Sequence, residues 1–174
     1  MWQNIIQYSK NLRLNNYSII NIKKIHPIAL VILAYFAMKL AFASAFFFYE
    51  QLGVDANGVM QFRESDKKHP WVAGFFVVLL APWLETLIHQ HAIKRLFIWW
   101  KITNSSIYIF ISAILFGIAH GSKLAFLPAF MAGVVLATVY QLRDHPPGRP
   151  FFYTWMVHFM NNGIAFFIWK TTSN

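Results

Sequence analysis

Residues 71–100 read WVAGFFVVLLAPWLETLIHQHAIKRLFIWW. No charged residue precedes Glu85, and the run closes on Lys94-Arg95 followed by Phe97-Ile98-Trp99-Trp100. At ~1.5 Å of rise per residue, a helix of this length exceeds the ~30 Å hydrocarbon core of a bilayer. Lys94 and Arg95 can snorkel towards one surface, and the aromatic end suits the interface. The stretch is therefore predicted to be a transmembrane helix, and a chain that contains it is read as a membrane protein.

Working outward, Pro27 to Tyr49 is apolar apart from Lys39 and makes a second span. Ala43-Ser44-Ala45 resembles a signal-peptide cleavage site, but the long polar leader and the central Lys39 argue against one. Residues 1–26 are polar, Asn-rich and basic, and can form an amphipathic surface helix or a tail. Residues 50–70 hold four of the six acidic residues together with Gly53, Asn57 and Gly58, which reads as a loop. After the turn at Thr103-Asn104-Ser105-Ser106 come spans at about Ile107 to His120, Leu124 to Leu142 and Phe151 to Trp169. Gly121-Ser122-Lys123 and the Pro-rich 143–150 segment separate them. The expected fold class is all-α, an integral membrane helical bundle of about five transmembrane helices. Its domain organisation is a cytoplasmic N-terminal segment, 1–26, and a transmembrane domain, 27–174, with the motif-bearing core at 71–169.

Composition agrees. The chain is 57% hydrophobic and 12% charged, with 18 Phe, 7 Trp and 7 Tyr, whereas a soluble domain carries about 25% charged residues. With no cysteine, disulfides and thiol chemistry are excluded. The net charge of +9 comes from basic residues scattered at span ends, which excludes a nucleic-acid stripe and points to topology and anionic membrane lipids. Basic clusters near the N-terminus, at 94–101 and at 143–149 assign those segments to the cytoplasm. A bacterial plasma membrane is the expected location.

Ionisable groups inside spans are costly and mark function by default. Lys39, Glu85, His120 and His158 qualify. For Lys39 a structural partner, such as a carbonyl or Glu85, is expected. His26, His69, His91 and His145 lie at span edges or in loops and are expected to be solvated. Glu85 and His120 lie symmetrically about the midpoint between Ile102 and Thr103, each about 15 residues or ~23 Å above the hairpin turn along antiparallel helices. They should share one depth. Glu85 with His89, Phe116 with His120, and His158 with Asn162 are each four apart, so each pair shares a helical face. His158 stands only about two turns beyond its own loop, and reaches the others only if the fifth helix tilts or starts higher.

Pro82-Trp83-Leu84-Glu85-Thr86-Leu87-Ile88-His89-Gln90, then Phe116-Gly117-Ile118-Ala119-His120, then His158-Phe159-Met160-Asn161-Asn162 resemble, in order, the EExxxR, FxxxH and HxxxN motifs of the CAAX protease and bacteriocin-processing family. The resemblance implies a glutamic intramembrane endopeptidase in which Glu85 and His120 activate a water, while His158 and Asn162 stabilise the oxyanion. It also implies a peptide or lipid-anchored protein substrate cut near its C-terminus, and no metal cofactor.

Two positions depart from the pattern. Thr86 stands where the second Glu is expected and Gln90 where the Arg is expected. Both lie on one i,i+4 pair, so the loss of opposite charges together is read as compensated, leaving two neutral groups able to hydrogen-bond. His89 replaces the family's usual aromatic. With Glu85, His120 and His158 it offers the alternative of a catalytic zinc site. The rival from another class is a non-catalytic immunity or scaffolding protein that keeps the fold.

Overall fold

The computed structural model describes residues 25–55 and 68–172; the remainder of the polar N-terminal segment, much of the 50–70 loop and the last two residues lie outside it. Five helices follow one another: α1, Pro27–Gln51; α2, Pro70–Trp99; α3, Ser105–Ala119; α4, Lys123–Arg143; and α5, Pro150–Thr172. Among the described residues there is no strand. The chain is an all-α membrane bundle. By length and composition α1, α2 and α4 can each cross a membrane. α3 is a shorter apolar helix, and α5 is a continuous helix whose apolar sequence carries His158, Asn161 and Asn162.

The turns form where local chemistry supplies caps. Asn104 Oδ1 accepts from the Ser106 and Ile107 amides at 2.9 and 3.2 Å, starting α3. Gly121, at φ +68°, ends the α3 turn, and Ser122 Oγ accepts from the Leu124 amide to start α4. A core of Leu30, Val31, Ala34 and Met38 from α1 joins Phe116, Ala129, Ala132, Leu136, Val139 and Val157. Large apolar side chains such as Phe36, Leu40 and Phe47 stay exposed, as a lipid-facing surface requires. Lys39 Nζ lies 5.2 Å from the ring of Tyr35 on its own helix.

Two prolines shape the bundle, because each removes a backbone donor inside a helix. In α4, Pro128 frees the carbonyl one turn earlier, at Leu124, and Tyr49 of α1 donates its hydroxyl there at 2.9 Å. In α2, Phe75–Leu80 is wound as a π-helix, and the Ala81 amide bonds five residues back, to Phe76. The next carbonyl in that register is Val77, whose donor would be Pro82. Asn162 of α5 takes it instead, its Nδ2 donating at 3.0 Å. With no water in a bilayer core, such cross-helix bonds are what allow a broken helix to persist.

A second π stretch, Thr86–Ala92, is anchored by α3. Ser112 Oγ donates to the His89 carbonyl at 2.6 Å and the Tyr108 hydroxyl to the Gln90 carbonyl at 3.1 Å. Glu85 stands at the end of the short α-helical segment Ala81–Glu85 between the two π stretches. At the other end of the bundle, Lys94 Nζ meets Gln141 Oε1 at 2.6 Å and Asp144 at 3.4 Å. This holds the 144–149 turn level with Lys94 rather than with the end of α2.

Candidate active site

That level decides which residues meet. Glu85 lies about nine residues before Lys94, and His158 about eight after Pro150, so at equal rise the two come abreast. Glu85 Oε2 and His158 Nε2 are 3.5 Å apart. The fifth helix does start higher, which was the condition for His158 to reach the site. The Glu85 side chain is 31% exposed, whereas His158 is buried, so the pair has an open side and a closed side.

His120 joins from α3 through Phe116. The Phe116 ring lies 4.8 Å from His120, 5.5 Å from His89 and 5.7 Å from His158, centroid to centroid. Phe116 itself is buried against α4. His120 is exposed at the end of α3, and its Nδ1 lies 2.8 Å from the Phe116 carbonyl. A carbonyl only accepts, so Nδ1 carries the hydrogen there, and Nε2 makes no hydrogen bond among the described residues. His120 makes no hydrogen bond with Glu85. The residue that touches the carboxylate is His158 rather than His120.

Asn162 lies one turn beyond His158 and is committed at one amide hydrogen to Val77; its Oδ1 accepts from Asn161 Nδ2 at 3.1 Å. Thr86 and Gln90 are fully buried, and among the described residues their side chains make no hydrogen bond, with each other or with any other group. The mutual bond expected of the neutral pair is not formed. His91, expected to be solvated, is held at a span edge by Tyr140, with Nδ1 2.6 Å from its hydroxyl.

Among the described residues no three His, Asp or Glu side chains gather as a metal-holding group. Tyr108 and Ser112 were not singled out from the sequence. The signal was available in two hydroxyl residues four apart on α3, facing a helix whose backbone they stabilise. The two π stretches have no comparable signature except Pro82.

No curated protein and no solved structure matches the chain. The family model described as type II CAAX prenyl endopeptidase Rce1-like matches residues 67–164, a range that holds α2 to most of α5 and with them Glu85, His120, His158 and Asn162. This covers more than half of the sequence, and the chain belongs to that family of membrane endopeptidases.

Proposed function

We propose that the chain is an intramembrane endopeptidase that hydrolyses a peptide bond near the C-terminus of a membrane-associated substrate. The observation that carries this reading is the half-open Glu85–His158 contact, with His120 on the far side of the Phe116 contacts and its Nδ1 held by the Phe116 carbonyl. Glu85 takes a proton from water as the oxygen attacks the scissile carbonyl carbon, with His120 as the second base. Once Glu85 is protonated it releases the His158 Nε2–H, which together with the second Asn162 amide hydrogen then serves as donor for the developing oxyanion. The proton is then returned to the leaving amine as the C–N bond breaks, giving a new carboxylate and a free amine. Donors fixed in place before reaction are worth most where water is sparse.

The substrate side follows from the surface beside Glu85. Trp83, Leu84 and Ile88 are exposed on the same stretch of α2, an apolar face suited to a lipid-anchored or prenylated chain lying in the bilayer. The basic 94–101 and 143–149 turns, at one end of the bundle, support a cytoplasmic position for that end, and a bacterial plasma membrane is the location we propose. The protein in proteoliposomes should release a C-terminal fragment from a prenylated C-terminal peptide, read by mass spectrometry. No fragment from wild-type protein, or the same fragment from Glu85→Gln, would overturn the reading.

A further inference from the structure

Below the Glu85–His158 contact lies a group of polar atoms that the mechanism does not use. Thr86 Oγ1, both amide atoms of Gln90, Thr154 Oγ1 and His158 Nδ1 are all buried and without a hydrogen-bond partner among the described residues. Thr86, Gln90 and Thr154 have no exposed surface at all. Thr86 and Gln90 are one turn apart on α2, and Thr154 and His158 one turn apart on α5. The contacts of Val77 with Asn162 and of Glu85 with His158 fix an antiparallel register. In it, the turn of α2 after Glu85 faces the turn of α5 before His158, so the four residues form one layer.

Leaving such groups dry costs about 1–3 kcal/mol each, and four residues multiply that cost in a part of the bundle the membrane encloses. Flipping the Gln90 amide does not help, since its oxygen and nitrogen are both unpartnered. The chemistry of the set identifies its ligand. Gln90 Nε2 donates only and Gln90 Oε1 accepts only, while both threonine hydroxyls can do either. His158 Nδ1 accepts when Nε2–H faces the Glu85 carboxylate. A cation has no use for the amide donor and an anion none for the acceptors. Water, with two donors and two acceptors, fits all of them. Thr86 and Gln90 are also each shorter than the Glu and Arg of the motif they replace.

We propose that Thr86, Gln90, Thr154 and His158 line a buried hydration site beneath the Glu85–His158 pair, whose ordered water holds His158 in the tautomer that presents Nε2–H to Glu85. The site exists whether or not the chain is a peptidase, so its test needs no substrate.

Water-edited solid-state NMR of the full chain in phosphatidylethanolamine and phosphatidylglycerol bilayers reads it directly. The probe is the Gln90 side-chain amide, assigned through its own backbone. Magnetisation from water should reach it within about threefold of the rate seen at exposed Gln51, as a bound and exchanging water requires. Thr154→Val and Thr86→Val, which keep shape and remove a hydroxyl, should each reduce that transfer by about half or more, as loss of one of the ~3 bonds such a water makes would do. Absence of transfer in the wild type would overturn the site. So would transfer unchanged in both variants, and if one variant fails to fold the other decides.

Discussion

The α3–α4 and α2–α5 interfaces are built on opposite principles. Between α3 and α4, small residues bring backbones together: a Cβ at Gly133 would come within 2.9 Å of Ala113 Cα and 3.1 Å of Phe116 Cβ. Buried aromatic rings such as Tyr108 and Tyr140, 6.3 Å apart centroid to centroid, fill the rest of that seam, and close packing supplies its stability. Between α2 and α5, side chains bond to freed carbonyls, a carboxylate meets an imidazole, and several polar atoms have no protein partner. One seam is a dry support, and the other is the part held open by it. Phe116 joins them, packed on Gly133 on one side and touching three histidine rings on the other.

The contrast is broken most severely at the open seam. Glu85→Gln and His120→Ala should each lower kcat/KM by about 10²–10⁴-fold, the range for loss of a positioned acid or base, while the detergent melting curve stays near that of wild type. His158→Ala and Asn162→Ala should slow turnover with smaller effects on substrate binding. A fall in melting temperature that accounts for lost activity would reduce Glu85 to a structural role.

Next in size is charge placed below the pair. Thr86→Glu alone should destabilise by about 3 kcal/mol or more by burying an unpaired carboxylate, and Gln90→Arg in the same chain should recover much of it. Thermal unfolding of the two single variants and the double variant measures the coupling. Additive losses would mean that the two positions do not face each other.

The dry seam should respond to bulk instead. Gly133→Leu should cost about 1–3 kcal/mol by overpacking, read as a lower melting temperature, and should reduce activity as well because it displaces Phe116. An unaltered melting temperature would show that α3 and α4 do not approach as closely as described.

The smallest effect is expected at His89. His89→Phe should keep kcat/KM within about threefold, under ~1 kcal/mol of transition-state stabilisation, because the ring only packs on Phe116. Elemental analysis of the purified protein should give less than stoichiometric zinc. Stoichiometric metal, lost with activity in His89→Phe, would replace the carboxylate mechanism by a metal-dependent one.

Much of the dry framework was legible in the sequence. Apolar run lengths located five helices, and Asn104, Gly121 and the Pro-rich 143–150 segment marked their ends within a few residues. The i,i+4 spacings correctly put Phe116 beside His120 and His158 one turn from Asn162. The open seam was harder to read, because its geometry depends on departures from the 3.6-residue period. Residues 75–80 and 86–92 are π-helical, yet only Pro82 hints at this, since apolar runs look alike in either winding. The partner of Glu85 depends on where the 144–149 turn sits, and Lys94 fixes that through contacts with Gln141 and Asp144 that no local pattern encodes. The neutral Thr86 and Gln90 were visible as a departure; that they remain unbonded follows only from packing.

The most direct measurement is a double-mutant cycle on kcat/KM for Glu85→Gln and His158→Ala, using a prenylated C-terminal peptide in proteoliposomes. If the two side chains act as one unit, the double variant should be scarcely worse than Glu85→Gln alone, because removing the carboxylate already removes what His158 serves. Losses that add in full would contradict a shared site between α2 and α5.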